Sequence, residues 1–322
     1  MSLVDGGRLA TPRSGRRILL AAAASSLIVF LAVGLLGAFR YLRGFWLYRG
    51  FPPPHDPAYV HSKGTSEHFM VKSAALAGRS QPVYIYLPPG YDSNAQQRYP
   101  VFYLLHGFPG SPQGAFLMTG QMGVLEDEMI AKHQAPPVIL VMPYGSTGYF
   151  NDKEWANGVG RGQGWETFVA RDVVRAVDAR YRTVRAASAR AIGGLSSGGY
   201  GALNIGLHHP GEFRVIESWS GYERADHLKS IFGGSRRLFD YNSPLHSLAG
   251  VAGALRRAQA FFWFYSGARD PLHKQNDRFA RELSRTGIPH VYLLLHGGHD
   301  WGLWRANAGE ALFVAAKRLG NG

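Results

Sequence analysis

The 322-residue chain contains no cysteine, which excludes disulfides and any cysteine-ligated metal. Charge is sparse: Asp, Glu, Lys and Arg together make up 18%, against 46% hydrophobic residues, a balance that excludes a charge-rich disordered chain. Acidic residues are the scarcer sign, with 22 Asp and Glu against 35 Lys and Arg, so the net charge is +13. No basic run or nucleic-acid motif occurs after residue 50, and nucleic acid is not expected as a partner. Residues 1–56 hold seven Arg against Asp5 and Asp56, a net +5, which leaves +8 for the remainder. A basic surface of this kind suits anionic lipid or cell-wall material. Internal repeats and low-complexity tracts are also lacking after residue 39.

What is present begins with an uncharged run, Ile18 to Phe39. As a helix it spans about 33 Å, enough for a hydrocarbon core of roughly 30 Å. The run is longer than the apolar core of a cleaved signal peptide, and its small-residue site, Ala32-Val33-Gly34, is buried inside it. The reading is a basic tail over 1–17, a transmembrane signal anchor over 18–39, a juxtamembrane linker over 40–64 and a catalytic domain over 65–322, with secretion after cleavage as the alternative. Four Arg precede the span, counted over 1–17, and three follow over 40–49, a slight bias toward an inside N-terminus and an extracytoplasmic domain.

Beyond the linker, short apolar runs at 83–87, 101–105, 138–142, 191–195, 215–219, 261–265 and 291–295 read as strands. Helical patterns fall at 121–133, 165–181, 198–209, 272–286 and 300–318. Near-continuous apolar strands alternating with helices imply an α/β fold, a mostly parallel sheet covered on both faces. Segment 144–164 is rich in Gly and Asn and begins at a strand's carboxyl end, where ligands bind in open α/β sheets. Segment 223–257 is a candidate cap. Tyr149, Phe150, Trp155, Trp165, Tyr200, Trp219 and Tyr222 suit either an aromatic pocket or ordinary core packing.

The most specific pattern is Gly194-Leu195-Ser196-Ser197-Gly198, a G-x-S-x-G set between an apolar run and a helical one. A strand turning sharply into a helix lifts the central serine above the sheet, and side chains two residues to either side would collide with backbone. Serine needs a base and an orienting acid, in the chain order Ser, Asp or Glu, His. His299 follows the last strand, with His296 as its rival. Asp270 follows the strand 261–265, with Glu217 and Glu223 as alternatives. The backbone N–H groups of Phe108, in His106-Gly107-Phe108-Pro109-Gly110, and of Ser197 are candidates for an oxyanion hole. His296 and His299 lack a third metal ligand at a telling spacing, and no metal or cofactor is expected.

The set LLHGFPG (104–110), WETF (165–168), GGLSSGGYGAL (193–203), GARD (267–270) and GGHDWGLW (297–304) resembles the esterase D-like family, which includes feruloyl esterases, S-formylglutathione hydrolases and mycolyltransferases. The resemblance implies an α/β-hydrolase fold and a serine esterase in which Ser196, Asp270 and His299 form the triad, with Phe108 and Ser197 supplying the oxyanion N–H groups. It leaves acyl transfer to an alcohol or sugar as a second outcome of the same acyl-enzyme, and a non-catalytic, membrane-tethered binding protein as a third reading. The Asp-Gly-Leu-Arg stretch of the mycolyltransferases is replaced here by His106-Gly107-Phe108-Pro109, which speaks against trehalose mycolyl transfer.

Overall fold

The computed structural model describes residues 13–148, 150–151 and 153–320, with the side chains of residues 13 and 14 left aside. Most of the expected basic tail and Tyr149 therefore lie outside the described residues. The chain divides into two units, Met1–Gly50 and Phe51–Gly322.

The first unit is one helix, α1 (Arg13–Tyr48). It is apolar around its whole circumference, with Ile18, Phe30 and Leu35 all exposed. Such a helix has no polar face to give to water. It continues past the expected boundary at residue 39 and includes the first part of the expected linker. Arg49 and Gly50, at φ 53° and 83°, end it in a left-handed turn.

The second unit is built on eight strands: β1 (Thr65–Lys72), β2 (Ser80–Leu87), β3 (Val101–Leu105), β4 (Ile139–Pro143), β5 (Arg190–Gly194), β6 (Val215–Trp219), β7 (Phe261–Gly267) and β8 (His290–Leu295). Their order in the sheet is β1-β2-β4-β3-β5-β6-β7-β8. The β1–β2 and β2–β4 pairs are antiparallel, and every later pair is parallel. This is the sheet of an α/β-hydrolase, preceded by a long apolar helix. β3, β4, β5 and β6 are buried along their whole length, as strands sandwiched between helices must be. β1 was not expected: its sequence TSEHFMVK is mostly exposed and polar, and its register with β2 rather than an apolar face defines it.

The helices are α2 (Met122–Ala131), α3 (Trp165–Thr167), α4 (Val174–Arg180), α5 (Ser197–His208), α6 (Lys229–Phe232), α7 (Arg236–Tyr241), α8 (Pro244–Arg257), α9 (His273–Arg285) and α10 (Trp301–Gly320). Phe168–Val173 joins α3 to α4 as a π-helical stretch. α5, α8 and α9 share one face of the sheet with this stretch, and α2 and α10 cover the other. The candidate cap 223–257 divides accordingly. α8 packs against α5 and α9 in the helical layer, while α6 and α7 close a small separate cluster around Tyr200, Tyr222, Phe232 and Phe239.

From β3 the chain steps to β4 on one side, and β5 then pairs on the other side of β3. The loops after β3 and β5 consequently leave the same sheet edge side by side, at the switch point where α/β sheets bind ligands.

Candidate active site

Ser196 sits between β5 and α5 at φ 55° and ψ −120°. That backbone is costly for a residue with a Cβ, and the surrounding turn holds it there. Ser196 N–H donates to Trp219 O (3.0 Å) and Gly198 N–H to Leu195 O (2.9 Å). A Cβ on Gly198 would lie 1.9 Å from Leu105 O, and one on Gly194 2.3 Å from the same oxygen. Both flanking glycines are therefore required by contact with β3, not by turn preference alone.

His299 Nε2 lies 2.8 Å from Ser196 Oγ, and His299 Nδ1 lies 2.9 Å from Asp270 Oδ2. With Nδ1–H donating to the carboxylate, Nε2 is free to accept from the serine hydroxyl. Asp270 is completely buried, and its second oxygen accepts from Leu272 N–H (2.8 Å). Burial pushes the Asp270 carboxyl up, but the bonds from His299 and the Leu272 N–H outweigh it, and the group stays below the usual carboxylate range. The imidazole is edge-on to Trp304, with ring centroids 5.0 Å apart.

The rival residues go elsewhere. His296 is exposed and faces Arg269 Nη1 at 3.2 Å. Glu217 accepts from Trp219 Nε1 (3.0 Å), and burial pushes the carboxyls of both Glu217 and Glu223 well above their ordinary value. Of the three candidate acids, Asp270 is the one that bonds His299.

Gly107 abuts the elbow: a Cβ there would lie 3.3 Å from Ser196 Cβ. The N–H groups of Phe108 and Ser197 donate to no other group among the described residues. Both residues line a cavity of about 10 Å³ that His106, Ser146 and Glu154 also reach. Unclaimed N–H donors beside a serine hydroxyl suit an oxygen that gains negative charge.

The segment 144–164 is tied down here. Trp155 Nε1 donates to His106 O (3.0 Å), and Gly145 N–H donates to His106 Nε2 (3.2 Å). His106 Nδ1–H then donates to Gly107 O (2.9 Å), so one ring clamps the loop after β4 to the loop that carries Phe108. Trp155 fits because Gly145 and Gly201 have no side chain: a Cβ on either would lie within 2.5 Å of it. Glu154 and Trp155 both have positive φ (49° and 54°), and Glu154 accepts from Tyr222 O–H. The sequence held only the glycines as a signal for this clamp. Of the aromatic residues considered for a pocket, Trp155, Trp165, Tyr200, Trp219 and Tyr222 are buried in the core and Phe150 is exposed.

Glu166 of the WETF signature has a structural role. Its oxygens accept from His208 Nδ1 and His209 Nε2, each at 3.0 Å, which ties α3 to the end of α5. Burial raises the carboxyl, but the two imidazoles outweigh it and leave the group below its ordinary value. A carboxylate depressed in the folded state contributes stability above its unfolded value, and that stability is lost as pH falls through the folded value. Glu166→Gln is expected to lower stability by about 1–3 kcal/mol at pH 7, because the amide offers one oxygen to two imidazole donors at a buried position. The gap to wild type should close in the acid range below the ordinary carboxylate value. Thermal unfolding followed from pH 3 to 8 checks this, and a gap as wide at pH 3 as at pH 7 would contradict it.

Among the described residues, no three His, Asp or Glu side chains cluster to hold a metal ion. The family model described as "Putative esterase" matches residues 73–313. The esterase Rv1288 of Mycobacterium tuberculosis is 28% identical over 263 residues, covering 72% of this chain. The present chain spans only 55% of that relative's length. Among solved structures, a ferulic acid esterase superposes with a TM-score of 0.68 at 23% identity, covering 79% of this chain and 98% of that one. An S-formylglutathione hydrolase from Agrobacterium tumefaciens gives 0.67 at 15% identity, covering 84% and 100%. At these identities the structural likeness is one of fold.

Proposed function

The chain belongs to this esterase family, and on that premise we propose that it is a serine carboxylic-ester hydrolase with Ser196 as nucleophile, His299 as base and Asp270 as orienting acid. The observation that carries the reading is the unbroken contact chain Ser196 Oγ to His299 Nε2 to Asp270, at 2.8 and 2.9 Å. Ser196 Oγ attacks the ester carbonyl and its proton passes to His299 Nε2. The carbonyl oxygen becomes an anion facing the N–H groups of Phe108 and Ser197. As the tetrahedral species collapses, His299 returns the proton to the departing alkoxide, and an acyl-serine remains. A water molecule then gives its proton to His299 and adds to the acyl carbon. Ser196 leaves with that proton, and the free acid is released. Asp270 stays ionised throughout and offsets the imidazolium that forms twice in the cycle.

A fluorophosphonate probe tests the assignment: the wild-type chain should be labelled on a peptide containing Ser196, and labelling elsewhere or not at all would refute it. Product analysis with an added alcohol separates hydrolysis from transfer, since transfer predicts acylated alcohol in excess of free acid.

We further propose that α1 anchors the enzyme in a membrane with the catalytic unit outside the cytoplasm. Its apolar circumference, its length and the four Arg of residues 1–17 support this reading. Extraction by detergent but not by alkaline carbonate is the expected behaviour. Release of a shortened chain into the medium would favour cleavage instead.

A further inference from the structure

A feature that the ester chemistry does not use lies at the opposite end of the sheet from Ser196. α10 lies over β5, β6 and β7. β8 is the edge strand beyond them, and a cavity of about 450 Å³ opens between it and the C-terminal half of the helix. That volume falls within the range of small-molecule sites, roughly 300–1,000 Å³. Its place is set by strand direction. Phe261 and Trp263 are in the first half of β7, whereas Asp270 follows its last residue. Lys317 lies 16 positions after Trp301 on α10, or about 24 Å along the axis. The cavity is therefore remote from the ester chemistry.

Its lining has two parts. The floor is aromatic: Phe261 and Trp263 from β7 and Phe313 from α10, with Val291 and Leu293 of β8 closing the side. The rim is cationic: Arg214 at the entry to β6, and Lys317 and Arg318 in the last turn of α10. Glu310 is the one acid on the lining, so cations outnumber it three to one. None of the three cations forms an ion pair among the described residues. The Arg318 guanidinium stacks on the Phe261 ring at 3.7 Å, and Lys317 stands over Phe313 at 5.7 Å. Stacking satisfies the face of a guanidinium and leaves its edge N–H donors directed outward. Planar edge donors recognise a planar oxyanion, and the apolar lining beside them suits an apolar body.

We propose that this groove is a second ligand site and that it binds an aromatic carboxylate, with the ring against Phe313, Val291 and Leu293 and the carboxylate between Arg214 and Arg318. The ring displaces water from the apolar lining, and the carboxylate takes up cations that form no ion pair among the described residues.

Protection of Lys317 from acylation reads occupancy from the protein side. The full chain in zwitterionic nanodiscs is treated with a water-soluble acetylating ester, with and without 2-naphthoate, and each lysine is followed by mass spectrometry. At a naphthoate concentration ten times its Kd, Lys317 labelling should slow by about elevenfold, the factor 1 + [L]/Kd. Lys274, exposed on α9 across the sheet, should be unaffected. Uncharged 2-naphthamide should protect far less, and Arg318→Glu or Arg214→Gln should abolish the protection by naphthoate. The Ser196→Ala chain should be protected as well as wild type, whether or not Ser196 is the nucleophile. No protection up to millimolar naphthoate, equal protection by the amide, or loss of protection in Ser196→Ala would each overturn the proposal.

Discussion

Ser196→Ala is expected to lower kcat by about 10⁶-fold, the loss seen when a triad nucleophile is removed, while KM stays within a few-fold. Oγ acts in the chemical step and not in ground-state binding, so the loss falls on kcat. The fold should survive, because the elbow depends on the glycines that meet Leu105 O and on the Ser196 N–H bond to Trp219 O. Alanine keeps both. Ser196→Gly separates function from strain. With φ 55° and ψ −120° the backbone lies where glycine is at ease and other residues are not. The glycine variant should be as inactive as the alanine one, yet more stable than wild type by about 1 kcal/mol. Turnover within tenfold of wild type in either variant would remove Ser196 from the mechanism. A glycine variant less stable than the alanine one would remove the strain argument.

That strained turn was readable in the sequence because its signature is compact. Gly194, Ser196 and Gly198 lie within five residues, although both glycines are required by contact with Leu105 of β3. The buried parallel strands were readable too. β3 and β6 match their expected runs residue for residue, because a strand covered on both faces must be apolar throughout. β1 was not readable, since its identity resides in the partner strand and its own residues are largely solvated. The Trp155–His106 clamp was hidden for the same reason. It joins side chain to backbone across 49 positions, and its trace in the sequence is two glycines, Gly145 and Gly201, whose missing Cβ atoms leave room for the indole. The acid carries a similar lesson. Asp270, Glu217 and Glu223 are alike in composition and order, but in the structure burial raises the two glutamates while hydrogen bonds lower Asp270.

Asp270→Asn should lower kcat by about 10⁴-fold, and the hydrogen bonds around it say why. In the wild-type chain Asp270 Oδ1 accepts from Leu272 N–H and Oδ2 accepts from His299 Nδ1–H. An asparagine has only one oxygen for these two donors. If the oxygen stays on Leu272 N–H, the amide NH₂ faces Nδ1 and makes it an acceptor. The proton then moves to Nε2, which can no longer take one from Ser196. If the amide flips, the oxygen keeps the correct tautomer, but two donors meet at Leu272. At a fully buried position that mismatch costs about 1–3 kcal/mol, so the first arrangement dominates. Either way the imidazolium formed during turnover loses its buried counter-charge. The variant should therefore fold, keep Ser196, and react with fluorophosphonate far more slowly than wild type. Glu223→Gln, at a carboxyl that burial raises and that makes no bond to His299, should leave kcat within a few-fold. Full activity in Asp270→Asn combined with a collapse in Glu223→Gln would transfer the orienting role to Glu223 and undo the assignment made from the 2.9 Å contact.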